Sequence, residues 1–215
     1  MGLKGQIISI SGVDGCGKTT IIKGVRSVLE TRGHKTSCVW LRYNHYLTKI
    51  FHVFCRLSGF TRYEWHNGVR VGYHEFYRSP PISFLAIVLN FIDTLIVSFF
   101  LVYIPALFTK RIIICDRWVV DILIDLQVDT RKHLGTDSFW GQMFLKLVPN
   151  NAKCFVILRD ASMIEAARPE HAYDKNYIPR RELFAEWSKN SLCIAVDNNG
   201  SVNDAVRWVL SRLNI

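Results

Sequence analysis

The sequence predicts an α/β fold, a three-layer α/β/α sandwich around a five-stranded parallel sheet. Two observations predict it. Short apolar runs alternate with helical stretches along the chain, and parallel strands that helices cover on both faces are apolar along their whole length. A glycine-rich segment follows the first run directly, where such sheets bind phosphate groups. We expect one domain over residues 1–215, because the chain is short for two.

Five β-branched, nearly continuous apolar runs are the predicted strands. They are Gln6–Ser11, Thr36–Arg42, Ile112–Cys115, Lys153–Leu158 and Leu192–Val196. The predicted helices are Thr19–Arg32, which ends at Gly33, Ser162–Arg168, which stops before Pro169, and Val202–Leu213. Alternating strands and helices with right-handed crossovers make the strands parallel and place the ligand at their carboxyl ends.

The charge and the cysteines of the chain indicate which ligands it binds and in which cellular compartment it works. The formal net charge of +9, from 27 Lys and Arg against 18 Asp and Glu, suits a polyanionic ligand. Phosphates, nucleic acid and an anionic membrane all fit, and we expect no nucleic acid. Four of the six cysteines fall on separate predicted strands, where we expect buried, reduced thiols: Cys38, Cys115, Cys154 and Cys193. With no signal-peptide pattern at the N-terminus, we expect a cytoplasmic protein.

The strongest motif is Gly12-Val13-Asp14-Gly15-Cys16-Gly17-Lys18-Thr19, which reads G-x-x-x-x-G-K-T directly after the first strand. This pattern is typical of the loop that holds the phosphates of ATP with its backbone N–H groups. Lys18 would reach the β- and γ-phosphates, and the Thr19 hydroxyl would bind Mg²⁺. The predicted ATP-binding residues are therefore Gly12, Gly15, Cys16, Gly17, Lys18, Thr19 and Thr20.

A second phosphate-handling element follows the third predicted strand. Ile112–Cys115 ends at Asp116, and a strand beside the glycine-rich loop would bring that carboxylate to the metal. Arg117 comes next and offers a planar cation for phosphate oxygens. The histidines show no metal-ligand spacing, so we predict no zinc site.

These segments resemble a known family. Ile114-Cys115-Asp116-Arg117-Trp118 resembles the Asp-Arg-Tyr segment of thymidylate kinases, which are P-loop nucleoside monophosphate kinases. The loop motif, Ile104-Pro105-Ala106-Leu107 and the ending Val196–Val202 are also similar to theirs. The resemblance consists of separate segments that are distributed over most of the chain.

The resemblance implies roles for individual residues. Asp14 would approach the sugar and phosphate of the acceptor, and Arg42 and Arg117 would bind its phosphate. Asn199 would lie in the loop that faces adenine. A lid over about 160–182 would carry an arginine that neutralises the moving phosphoryl group, with Arg168 preferred over Arg180 and Arg181. An acceptor-side insertion would cover about 43–108, and the family's dimers imply a homodimer.

Two departures concern the base pocket. Where the family has an arginine that stacks on thymine, this chain reads Asn90-Phe91-Ile92-Asp93-Thr94-Leu95. Where small hydroxyl residues follow the family's Asp-Arg-Tyr, it reads Val119-Val120-Asp121-Ile122. Asp93 and Asp121 are therefore the polar side chains that we assign to the acceptor. Kinase activity is better supported than dTMP as the acceptor.

The segment Ile82–Phe108 is almost wholly apolar except for a narrow polar stripe at helical spacing. Three interpretations remain open. It is a core helix that also forms a dimer face, a helix that leans on a membrane surface, or a transmembrane span. Asp93 near its middle disfavours the span, since it would cost roughly 2.5–3.5 kcal/mol on insertion scales.

Three functions follow from these observations. The first is ATP- and Mg²⁺-dependent transfer of the γ-phosphate to a nucleoside monophosphate such as dTMP. The second is a kinase that phosphorylates the hydroxyl of a sugar or lipid-linked glycan at the membrane surface, with Asp14 as the nearest candidate base. The third is a nucleotide-binding switch with little turnover, which would need only the glycine-rich loop.

Overall fold

A computed structural model describes residues 5–42, 46–66 and 69–213. Its strands are β1 (Ile7–Ser11), β2 (Thr36–Trp40), β3 (Thr61–His66), β4 (Val69–His74), β5 (Ile112–Asp116), β6 (Lys153–Leu158) and β7 (Cys193–Asp197). Its helices are α1 (Lys18–Thr31), α2 (Leu47–Leu57), α3 (Pro80–Ser98), α4 (Ile104–Phe108), α5 (Val119–Thr130), α6 (Phe139–Leu145), α7 (Ala161–Ala167), α8 (Tyr177–Trp187) and α9 (Val202–Ser211). Residues 43–45 and 67–68 of the predicted insertion lie outside the described residues.

The main sheet has five parallel strands in the order β2-β5-β1-β6-β7. This confirms the predicted α/β sandwich, and the predicted strand limits are right to within two residues. The strand β1 lies at the centre, with Ile10 opposite Asp116 on one side and Phe155 on the other. The glycine-rich loop therefore leaves the sheet between the ends of β5 and β6.

The central strands are buried because helices cover the sheet. Every residue of β1 is buried, as are the first four residues of β5. The helices α1 and α9 pack so closely that a Cβ on Gly24 would lie 2.7 Å from Cγ2 of Val206. One cysteine departs from the prediction, because Cys38 on the outer strand β2 is exposed.

A two-stranded antiparallel hairpin, β3–β4, lies within the acceptor-side insertion of about 43–108 and outside the five predicted strands. It is linked to the segment that follows α7: the Tyr73 hydroxyl donates to the Tyr173 carbonyl at 3.2 Å, and Lys175 Nζ lies 2.9 Å from Glu64 Oε1. The hairpin therefore contacts the predicted lid.

The apolar segment is a continuous 29-residue helix from Pro80 to Phe108, with a π-helical turn at Phe99–Tyr103 between α3 and α4. It is long and apolar enough to cross a membrane, and about 44% of its most apolar window is buried inside the protein. Asp93 is fully buried in it and accepts hydrogen bonds from the first backbone N–H groups of α2, at 3.0 Å from Leu47 and 2.8 Å from Thr48. One side of this helix therefore belongs to the core.

Candidate active site

The glycine-rich loop turns sharply between β1 and α1. Gly12, Gly15 and Gly17 have φ values of 147°, 85° and 96°, which favour glycine because a Cβ would be strained there. The helix bonds begin at the Gly17 carbonyl, which accepts from Thr20 and Ile21 at 3.1 Å. The first N–H groups and the positive end of the α1 dipole therefore face the loop. This arrangement forms a concave anion-binding site.

Lys18 lies inside the loop rather than in solvent. The Lys18 Nζ donates to the carbonyls of Gly12 and Val13 at 2.7 and 2.8 Å, and Lys18 is only 5% exposed. Burial lowers the pKa of Lys18. The Cys16 thiol is fully buried next to it and burial raises its pKa, so the thiol is a packing group.

Two side chains with oxygen atoms suited to a metal lie at the edge of this loop. Thr19 is exposed in the first turn of α1, and Asp116 ends β5 beside β1. A hydroxyl and a carboxylate are donors that suit Mg²⁺, which usually takes one or two protein ligands together with substrate phosphates. Within the described residues no group of three His, Cys, Asp or Glu side chains could hold a metal. The donor set fits a magnesium ion shared with a nucleotide.

Asp14 is the centre of a cluster of cations. Its half-exposed carboxylate pairs with Arg117 Nη2, with Arg42 Nη1 at 3.3 Å and with Lys18 Nζ at 3.9 Å. Partial burial raises the pKa of Asp14, but Arg117, Lys18 and Arg42 lower it by more, so the pKa lies well below its usual range. A carboxylate held in this way is a weak base.

A second ion-pair cluster continues from the first. Asp125 on α5 accepts from Arg42 Nε at 2.8 Å and Nη2 at 2.9 Å, and from Arg180 Nε at 3.1 Å. Burial raises the pKa of Asp125, but the two arginines bring it down to about 2. Arg180 Nη1 also lies 3.5 Å from Asp174. Arg42 is therefore held from both sides, by Asp14 and by Asp125.

The structure places two of the predicted acceptor residues behind the site. Asp121 is 1% exposed, lies 3.4 Å from Arg117 Nη1 and accepts from the Trp118 N–H at 3.2 Å. It holds Arg117, whose φ of 64° is unusual for a residue other than glycine. Asp93 caps α2, as described above. The geometry therefore gives Asp121 and Asp93 positioning roles.

In front of these clusters lies an open cleft of about 850 Å³. Asp14, Arg42 and Arg180 line it at one end, and the hairpin and α2 contribute its other walls, with Tyr63, Arg70, Gly72, Lys49, His52 and Val53 among them. Asp129, one helical turn after Asp125, is 7% exposed, and its Oδ1 has no hydrogen-bond partner in the part of the chain that the structure describes. Burial raises the pKa of Asp129 to about 8. The cleft is large enough for a phosphorylated acceptor.

The predicted lid contributes two side chains that lie beside the loop, Arg168 and His171. Arg168 is largely exposed, pairs with Glu170 at 3.1 Å, and lies so close that a Cβ on Gly15 would be 3.1 Å from its Cγ. His171 Nε2 lies 3.1 Å from the Asp14 carbonyl, and its ring stacks on Tyr177. The preferred lid arginine therefore lies at the loop, whereas Arg180 lies on the acceptor side. Arg181 lines a different cavity.

Asn199 lines this other cavity, of about 520 Å³, together with Asp160. Its Oδ1 accepts from the Asp160 N–H at 2.7 Å. The neighbouring Asn198 contacts the glycine-rich loop itself, because its Nδ2 donates to the Cys16 carbonyl at 2.7 Å. The side chain that contacts the loop is therefore that of Asn198, and the predicted residue Asn199 is its neighbour in sequence.

The sequence does not single out several residues at the candidate site. They are Asp125, Asp129, Asn198, His171 and Arg159, whose Nη1 lies 3.3 Å from the Gly15 carbonyl. Two of them have a sequence signal, since Arg159 directly follows the predicted strand Lys153–Leu158 and Asn198 lies two residues after the predicted strand Leu192–Val196. The carboxyl ends of parallel strands meet at one edge.

Comparison with known proteins gives a structural likeness. No protein-family model and no curated protein sequence matches the chain. The structure of thymidylate kinase from Ehrlichia chaffeensis superposes with a TM-score of 0.60 and 16% identity, over 96% of this chain and 98% of that one. The structure of thymidylate kinase from Candida albicans superposes with a TM-score of 0.57 and 14% identity, over 98% of this chain and 92% of that one. The chain therefore has the fold of thymidylate kinases over nearly its whole length.

Proposed function

We propose that the protein is an ATP- and Mg²⁺-dependent phosphotransferase whose acceptor carries a phosphate, of the nucleoside monophosphate class that includes dTMP. One observation carries this proposal: Arg42 and Arg117 converge on Asp14, opposite Lys18 and at the end of a large cleft. Paired guanidinium groups suit the two oxygens of a phosphate. The thymidylate kinase fold supports the proposal.

The residues divide between the two substrates. The glycine-rich loop, Lys18 and the α1 N-terminus bind and orient the triphosphate. Thr19 and Asp116 would hold Mg²⁺, which neutralises charge on the β- and γ-phosphates when bound. Arg42 and Arg117 hold the acceptor phosphate in line with the γ-phosphorus, and Arg168 adds a cation from the lid side.

The protonation state of Asp14 favours this acceptor over a hydroxyl. A phosphate oxygen is already deprotonated at neutral pH and needs no general base, whereas a hydroxyl does. The arginines hold the pKa of Asp14 low, so it is suited to orient Arg42 and Arg117 and to accept a hydrogen bond from the acceptor's sugar.

One observation favours the second candidate, a kinase of a sugar or glycan hydroxyl. Asp129 lines the cleft, its Oδ1 has no hydrogen-bond partner among the described residues, and its pKa of about 8 is closer to neutral pH than that of an ordinary carboxyl group. A general base works best when its pKa lies near the working pH. Asp129 lies four residues beyond Asp125 on α5, so it is about 6 Å farther from the loop along the helix. That position suits recognition of the acceptor's far end better than proton removal at the γ-phosphate.

A coupled ADP-release assay tests the proposal. We expect ADP release to saturate with one of dTMP, dUMP, dCMP or their ribonucleotide counterparts, in the micromolar to millimolar range usual for enzymes. The corresponding nucleosides, which lack the phosphate, are the matched controls and should give only the background rate. ADP release that responds to free sugars or glycans and to no monophosphate would replace this function with the second candidate.

A further inference from the structure

The helix Pro80–Phe108 turns its polar side to the core and apolar side chains to the surface. Its polar side chains are buried: Ser83, Asn90, Asp93, Thr94 and Ser98. Seven of its large apolar side chains are exposed: Phe84, Leu85, Leu95, Phe99, Phe100, Leu101 and Phe108. A helix that faces water normally shows the reverse pattern. The apolar side of this helix therefore requires a partner other than water.

A second helix adds to this apolar surface. The outer side of α2 carries Leu47, Ile50, Val53, Phe54 and Leu57, and the exposed fraction reaches 72% at Ile50 and 81% at Leu57. The two helices are joined because Asp93 of α3 caps the N-terminus of α2. Exposed apolar surface on this scale marks an interaction site. We call the exposed sides of α2 and of helix Pro80–Phe108 the apolar face.

The charges around the apolar face have one sign. Lys49, Arg56, Lys110 and Arg111 are exposed on or beside these helices. Residues 46–58 and 80–111 contain a single carboxylate, Asp93, and it is 0% exposed. A second copy of the chain, packed by a two-fold axis on this face, would bring these cations together with no acidic partners from these segments. Anionic lipid headgroups would supply the missing negative charge.

We propose that the apolar face binds in the plane of an anionic lipid bilayer. The phenylalanine and leucine side chains enter the boundary between headgroups and acyl chains, and the lysines and arginines extend to the headgroups. The helix lies along the bilayer and does not cross it, because Asp93 and the other polar side chains on its inner side are packed into the protein.

The position of α2 connects this face to the candidate active site. Lys49 and Val53 lie on α2 and also line the 850 Å³ cleft. An acceptor in the cleft would therefore lie near the bilayer surface. Membrane binding itself does not depend on the proposed phosphotransfer, so the two can fail separately.

Vesicle flotation tests the proposal with the whole protein. We expect it to float with vesicles of phosphatidylcholine and phosphatidylglycerol and to stay at the bottom with phosphatidylcholine alone. The difference in partitioning should be roughly ten-fold or more and should shrink in high salt, because several cations face the headgroups.

Matched variants locate the contact. Leu57→Glu and Phe100→Glu should each abolish flotation, and the double variant Lys110→Glu/Arg111→Glu should weaken it only with anionic vesicles. Leu192→Glu changes a side chain with 53% exposure outside the apolar face and should float like the wild type. Identical thermal unfolding of the variants would show that they are folded.

Two results would overturn the proposal. One is flotation that is absent or independent of phosphatidylglycerol in the wild type. The other is a dimer, measured by light scattering without lipid, that Leu57→Glu converts to a monomer, because a second copy would then cover the apolar face.

Discussion

At the scale of single residues, the site is defined by how Asp14 is paired. The Asp14 carboxylate lies between Arg117 and Arg42 and fixes the direction of both guanidinium groups. On its other side, Arg42 pairs with Asp125 and Arg117 pairs with Asp121. The arginines are therefore oriented before a substrate arrives, and no reorganisation is needed when charge develops. Sequence motifs identify Lys18 and Asp14 because their neighbours are fixed by the glycine-rich loop. They do not identify Asp125, whose partners are distant in sequence.

Replacement of Lys18 tests the triphosphate site. We expect Lys18→Ala to lower kcat by about a hundredfold or more, since one preorganised cation at the moving phosphoryl group is lost. Because Lys18 donates to two loop carbonyls, a thermal melt should accompany the kinetics. Full activity in a folded variant would reject the assignment.

Replacement of Arg42 tests the acceptor site. Arg42→Met should raise the KM for the acceptor by tenfold to a hundredfold, as expected for a lost charged hydrogen bond, with little change in the KM for ATP. Lys23→Met, which changes a cation on the exposed surface of α1, is the control. Equal effects on both KM values would place Arg42 outside the acceptor site.

Asp129 makes a prediction about stability and pH. Its pKa of about 8 in the folded protein lies above the ordinary aspartate pKa of 3.8, so between these pH values the folded state binds a proton that the unfolded state has lost. The free energy of unfolding therefore falls as the pH rises between these two values, by up to about 1.4 kcal/mol per pH unit. Asp129→Asn, which cannot ionise, should be increasingly more stable than the wild type from pH 5 to pH 8. Urea unfolding at several pH values measures this difference, and a difference that stays constant with pH would contradict the buried, protonated carboxyl.

At the scale of elements, apolar composition predicts the sheet, whereas the hairpin has only a local turn signal. The strands of the main sheet are covered by helices and are mostly apolar, so their composition alone reveals them. The strands β3 and β4 alternate polar and apolar side chains between many aromatic residues. The Asn67-Gly68 pair between them, which lies outside the described residues, is a strong sequence signal for a hairpin.

The long apolar helix shows a second limit of sequence reasoning. Periodicity places its polar residues on one stripe, but periodicity does not say whether that stripe faces water or the core. Packing decides it, because Asp93 caps α2 and Ser98 accepts from the Trp118 indole at 2.8 Å. The stripe is therefore buried and Asp93 caps α2, whereas a contact between Asp93 and the acceptor stays a prediction.

The loop-to-helix turn makes a testable prediction about glycine. A Cβ on Gly17 would overlap the Asn198 amide that holds the loop. Gly17→Ala should therefore displace Asn198 and weaken ATP binding by tenfold or more, measured by calorimetry, since one charged-ligand contact is worth about 1.5–3 kcal/mol. Gly33→Ala is the matched control, because Gly33 also has a positive φ, of 84°, with nothing within 4 Å of the added Cβ. It should lose about 1 kcal/mol of stability and no ATP affinity, and equal losses of affinity in both variants would contradict this account of the loop.

At the scale of the whole molecule, the fold brings two kinds of site to one edge of the sheet. The proposed triphosphate site lies at the strand ends of β1 and β5, and α5, the hairpin and α2 line the proposed acceptor cleft. The likeness to the fold of thymidylate kinases covers both parts at 14–16% identity. The residues at the phosphate-binding positions resemble the family's pattern, whereas those at the base-pocket positions depart from it. The fold was therefore predictable from the sequence, whereas the acceptor is a proposal that goes no further than its chemical class.

The most direct measurement follows the γ-phosphate itself. The protein is incubated with ATP labelled at the γ-phosphate, Mg²⁺ and a nucleoside monophosphate or the matching nucleoside, and the products are separated by chromatography. We expect label in a nucleoside diphosphate formed from the monophosphate, none on the nucleoside, and none with Lys18→Ala. Label that reaches only water, or that joins a hydroxyl in preference to a phosphate, would contradict the proposed phosphotransfer.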